Sequence, residues 1–205
     1  MLLGKAWSEG YSAFPDWNSP KTQNWWRGGL NDLYDLTLFD GIWLDMNEAT
    51  MINCDGECYP ETQNLSPQSP RSPRFLEATP LGNETGPNDN YYDLPFKPTG
   101  SVESLYKNSI SLNASHYASN AEDEPLNIEY NMHNLYGAMQ SKATHEFMTT
   151  QPFIRSDRRP FVVSHSTFAG AGRWASHSLG HNHATWNDMK SSIPGVMSMN
   201  VSPFC

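Results

Sequence analysis

Between Phe39 and Met46 the chain reads Phe-Asp-Gly-Ile-Trp-Leu-Asp-Met, a short apolar run that ends abruptly in a carboxylate. An apolar run of this length without alternation is that of a strand buried in a parallel sheet. A second run of the same kind, Arg159-Pro160-Phe161-Val162-Val163-Ser164, lies far down the chain. Helical patterns surround both. Pro20–Leu36 places Trp25, Trp26, Leu30, Leu33 and Leu36 on a roughly helical stripe, with Ser19 suited to the cap and Pro20 to the first turn. Gly28 and Gly29 weaken that helix without breaking it. His133–Gln151 carries Leu135, Met139, Ala143, Phe147 and Met148 on or near one face, and Pro152 stops it. After the second apolar run come a Gly-rich turn, Phe168–Arg173, and a short strand near Ser176–Gly180. A further helix begins over Thr185–Ser192, capped by Thr185 or Asn182. Helix, strand, helix, strand, strand, helix is the order of a parallel α/β sheet or barrel, and that is the predicted fold class.

Composition narrows the function. The chain has 205 residues, enough for one ordinary domain. Aromatic residues make up 12%, which excludes disorder throughout, and charged residues only 17%, which excludes a coiled coil. A net charge of -9 with 13 Lys and Arg lacks the basic footprint of a nucleic-acid binder. No apolar run approaches the roughly 18 residues of a membrane span. The opening residues, Met1–Trp7, lack the basic and apolar regions of a signal peptide.

Over residues 49–125 the composition changes, and nine of the fifteen prolines fall there among Asn, Ser, Thr and Gly. This reads as a long, partly ordered loop excursion. Within it Cys54 and Cys58 form a C-x3-C in a polar stretch: a small disulfide, half a metal site or two free thiols. Asn64, Asn83, Asn113 and Asn200 begin glycosylation sequons. Three sequons in one loop region favour the disulfide and a secretory, lysosomal or extracellular location. Cys205 has no assigned role.

Asp45 is the first chemical candidate. A carboxylate at the C-terminal end of a buried strand faces the catalytic mouth in α/β barrels; its bland alternative is a cap for a following helix. Trp43 and Met46 beside it suit an apolar wall for the C–H face of a sugar ring. His177, His181 and His183 give H-x3-H-x-H, but a strand and turn does not converge three or four ligands, so no metal is expected. Gly170-x-Gly172 lacks the ending of a phosphate loop and reads as a tight turn.

Phe39–Glu48 resembles the nucleophile signature of glycoside hydrolase family 31, W-x-D-M-N-E. Phe14–Trp17 and Pro20–Trp26 resemble that family's F-P-D-F and N-P-x-T-x-x-W-W blocks. Tyr130–Gly137 resembles its H-N-L-Y-G block, and Arg159–Asn200 its second signature. The resemblance implies a (β/α)8 barrel, of which residues 1–205 hold roughly strands four to six, with the 49–125 loop inserted after the nucleophile strand. It implies retaining hydrolysis of an α-linked glucoside or oligosaccharide with no cofactor. Such enzymes use two carboxyls about 5–5.5 Å apart, one attacking the anomeric carbon and one exchanging the proton. Asp45 then takes the nucleophile position, Glu48 supports it, and Trp43 and Met46 line the −1 sugar subsite.

The second signature departs from the family. Where R-S-T-F-x-G-x-G-[RK] and G-H-W-x-G-D-N are expected, His165 replaces the substrate-binding Arg, Ser178 the Trp, and His181 the acid/base Asp. Arg173, His177, Gly180 and Asn182 remain. An imidazole cannot offer the bidentate fork of arginine. Near its usual pKa it can still give or take a proton. The alternatives to an active hydrolase are a catalytically dead sugar-binding relative and a non-functional gene fragment.

Overall fold

A computed structural model describes residues 2–4, 11–50, 110, 114–120, 127–150, 159–180 and 182–201. In chain order its elements are β1 (Leu2–Gly4), β2 (Ser12–Phe14), α1 (Pro20–Leu36), β3 (Gly41–Leu44), α2 (Glu129–Met132), a 3-10 turn (His133–Leu135), α3 (Tyr136–Thr150), β4 (Phe161–Ser164), a 3-10 turn (Ala171–Arg173), β5 (Ser176–His177) and α4 (Trp186–Val201). They fall into two compact units, Met1–Asp16 with Ala49–His133, and Trp17–Glu48 with Asn134–Cys205. No described helix is long and apolar enough to cross a membrane.

The second unit holds the parallel sheet, in the order β3-β4-β5. Gly41 pairs with Phe161, Trp43 with Val163 and Leu44 with Ser164, and β5 continues with Ser164 beside His177. The register requires glycine at 41, because a Cβ there would stand 2.6 Å from the Phe161 side chain and 2.7 Å from its carbonyl oxygen. Leu44 and Val162 bury their side chains against Leu30 of α1, Phe147 and Met148 of α3, and Ala175. Trp26 packs on this core and donates its indole N–H to Thr144 Oγ1 at 2.9 Å.

The apolar runs predict strands covered on both sides. Among the described residues the helices cover one side only, and Trp43 and Phe161 remain 62% and 64% exposed on the other. Helix α1 has the predicted bounds, although Ser19 makes no side-chain capping bond. Helix α3 starts three residues later than predicted, because His133–Leu135 winds as a 3-10 turn. Thr185 is the cap of α4, its Oγ1 accepting the Asp188 N–H at 3.1 Å, while Asn182 Oδ1 accepts the Ala184 N–H.

In the first unit β1 and β2 pair antiparallel, with Leu3 opposite Ala13. Three-residue strands carry too little alternation for the sequence to reveal them. An isolated antiparallel bridge joins Ser115 to Ile128, and Glu129 N–H donates to the Ala114 carbonyl at 2.8 Å. Most of the 49–125 excursion, with Cys54, Cys58, Asn64, Asn83 and Asn113, lies outside the described residues, as does Cys205.

Candidate active site

The parallel register aligns the residues that follow each strand. His165 N–H donates to the Leu44 carbonyl at 2.9 Å and Ser178 N–H to the Ser164 carbonyl at 2.8 Å, so the ladder continues one residue past the strands. Asp45, His165 and Ser178 therefore form one row across three C-terminal strand ends. Adjacent members are spaced by roughly the 4.8 Å of neighbouring strands. Leu44 and Ser164 are buried, whereas Asp45 and Trp43 are exposed, as the alternation along a strand requires.

Past Asp45 the chain turns sharply. Met46 adopts a left-handed φ of 51°, and residues 46–50 are not helical, so Asp45 caps no helix there. The turn brings Glu48 to His165, where Oε1 and Nδ1 stand 2.5 Å apart. Gly180, at φ 88°, lies against the same ring, and a Cβ there would come within 3.2 Å of His165 Nε2. His177 stands on β5 with Nδ1 2.9 Å from Thr167 Oγ1. Burial pushes its pKa down, the like charge of His165 adds to this, and Glu48 opposes it. Arg173 lies in the second 3-10 turn with its guanidinium 5.3 Å from the centre of the Trp174 ring. His181 lies outside the described residues.

The sequence reading missed what holds this turn. Asn47 is buried, donates to Ser164 Oγ at 2.9 Å and to the Gly137 carbonyl at 3.5 Å, and accepts the Ser166 N–H at 2.7 Å. Its signal was the N of the W-x-D-M-N-E string, which marks the position but carries no periodicity and names no partner.

A second cluster, in the first unit, was also missed. Glu129 is fully buried; its Oε2 lies 2.7 Å from His116 Nε2 and its Oε1 2.8 Å from His133 Nδ1. Asp16 Oδ1 is 2.9 Å from His116 Nδ1, and Asp16 Oδ2 accepts the Tyr117 N–H. Both nitrogens of His116 thus face carboxylates, the arrangement of a doubly protonated ring. Burial opposes that charge, but the bonds to Asp16 and Glu129 and their negative charge outweigh it and raise the pKa to about 9. Burial likewise opposes the Glu129 anion, yet the bonds from His116 and His133 hold its pKa below the ordinary value. Among the described residues no group of three or more His, Cys, Asp or Glu is arranged to hold a metal ion.

A strand-end row with a carboxylate is shared by many barrels, and the family assignment comes from comparison. The model of the glycosyl hydrolases family 31 TIM-barrel domain matches residues 1–205. The chain belongs to glycosyl hydrolase family 31. It is 32% identical over 203 residues to alpha-xylosidase 1 of Arabidopsis thaliana, covering 98% of this chain and 20% of that protein. It is 30% identical over 201 residues to lysosomal alpha-glucosidase of Mus musculus, covering 98% of this chain and 17% of that protein. Intestinal sucrase-isomaltase of Suncus murinus is 29% identical over 198 residues, covering 95% of this chain and 9% of that protein. The chain spans a fifth or less of the length of these relatives.

Proposed function

We propose that this chain carries the nucleophile side of a retaining α-glucosidase-type site, acting on an α-linked glucoside or oligosaccharide. The observation that carries the reading is the row of Asp45, His165 and Ser178 at the C-terminal ends of three parallel strands. Catalytic groups of TIM barrels sit at that end. Asp45 attacks the anomeric carbon, a bond forms between its oxygen and that carbon, and the glycosidic carbon–oxygen bond breaks. The leaving oxygen takes a proton from the group at the acid/base position, His181 here. The same group then takes a proton from water, whose oxygen bonds to the anomeric carbon as the bond from that carbon to Asp45 breaks, freeing the sugar and the carboxylate. Trp43 offers an exposed ring beside Asp45, suited to the sugar's C–H face, and Met46 is assigned to the same −1 subsite by the family resemblance.

Residues 1–205 correspond in this reading to roughly strands four to six of one partial catalytic barrel, with 49–125 inserted after the nucleophile strand. A secretory or lysosomal location, a Cys54–Cys58 disulfide and glycans at Asn64, Asn83 and Asn113 belong to the same reading. The sequons and the likeness to a lysosomal enzyme support it.

A second reading, a sugar-binding relative without turnover, is favoured by the state of His165. Its ring is held by Glu48 and backed by Gly180 instead of offering an arginine fork to sugar hydroxyls. An aryl α-glucoside with an acidic phenol separates the two. It leaves without proton donation, so the first reading gives a phenol burst and a glucosyl adduct on Asp45 by mass spectrometry, absent in Asp45→Asn. Binding with no burst and no adduct supports the second reading and refutes the first.

A further inference from the structure

We propose that Asn47 is the positioning residue of this site: its buried amide sets the turn that presents Glu48 to His165. Three segments meet at this side chain. Its carbonyl oxygen takes the Ser166 N–H at 2.7 Å, and its amide nitrogen reaches Ser164 Oγ at 2.9 Å and the Gly137 carbonyl at 3.5 Å. Ser164 Oγ donates its own O–H to the Ser166 carbonyl at 2.7 Å, and Ser141 Oγ donates to the Gly137 carbonyl at 2.8 Å. Donor and acceptor atoms of one amide are thus both used, on the loop that holds His165 and on the start of α3. The junction is tight, since a Cβ on Gly137 would lie 2.5 Å from Ser166 Cβ.

Asn47 stands between Met46, whose left-handed φ of 51° turns the chain, and Glu48, whose carboxylate meets His165. A left-handed methionine is uncommon and persists where surrounding bonds over-determine it. The Asn47 amide supplies those bonds. Because Ser164 and Ser166 flank His165, the same side chain fixes both partners of the Glu48–His165 contact. The consequence for catalysis rests on the glycosidase reading above; the positioning itself does not.

The test reads the contact directly, by nitrogen-15 NMR of the His165 ring in the full chain. Glu48→Gln serves as the reference displacement of the Nδ1 resonance. Asn47→Ala is expected to move that resonance as far as Glu48→Gln does, and the double variant no further. Ser164→Ala, which removes one of the partners, is expected to move it part of the way and covers the case in which Asn47→Ala does not fold. A His165 resonance left at its wild-type position in a folded Asn47→Ala or Ser164→Ala chain overturns the proposal. Absence of a glucosyl adduct on Asp45 would sink the glycosidase reading and leave this result standing.

Discussion

Raising the pH should weaken the first unit, because its buried cluster holds a proton that the unfolded chain releases. Below 6.5, the ordinary histidine value, His116 is charged in both states and its pairing with Asp16 and Glu129 contributes in full. Between 6.5 and about 9 only the folded ring keeps the proton, so stability falls through that window, and above it the contribution is gone. At about 1.4 kcal/mol per pH decade the loss is about 3 kcal/mol. Glu129 acts at the other end: its pKa is depressed, so its contribution is present above the ordinary 4.5 and is lost as the pH falls through the lowered value. The unit should therefore be most stable between about 4.5 and 6.5. Amide hydrogen exchange, corrected for intrinsic rates, reads this at the His116 N–H bonded to Asn127 and the Glu129 N–H bonded to Ala114. Glu129→Gln leaves two imidazoles around a neutral amide. It should cost about 3–5 kcal/mol near neutrality, as loss of one partner from a buried pair does, and should flatten the fall between pH 6.5 and 9. Equal protection at pH 7 and 10, or a Glu129→Gln profile that follows wild type, would refute the assignment of the charge to His116.

Three substitutions test the packing of the second unit by urea unfolding. Phe147 is fully buried in the core under the sheet, and Phe147→Ala should cost about 3–5 kcal/mol; a loss under about 1 would mean that the core is not packed as described. Gly137→Ala would press its Cβ against Ser166 and should cost about 1–3 kcal/mol, where an unchanged midpoint would deny the close approach. Gly28 is helical with no atom within 4 Å of an added Cβ, so Gly28→Ala should stabilise by about 0.5–1 kcal/mol, and a loss would contradict the open helix face.

Local pattern made much of the fold legible. Pro20, the aromatic and leucine stripe behind it, and the absence of a competing period determined α1 to the residue. The runs at Phe39–Met46 and Arg159–Ser164 determined two strands, since apolar residues without alternation suit a parallel sheet. The motif around Asp45 and the blocks around it determined the family, because long residue strings in fixed order identify a lineage without geometry. What sequence could not supply is contact between distant segments. That Asp45, His165 and Ser178 share a row depends on the register, and a slip of one residue would turn each to the other face. That Glu48 meets His165 depends on a left-handed turn at Met46 and on the Asn47 amide reaching a strand 117 residues away. That His116 keeps a proton depends on Asp16, 100 residues upstream. Periodicity records which face of an element is apolar; which charges meet when the chain closes on itself is decided by tertiary packing, where burial makes each unpaired group too costly to leave alone.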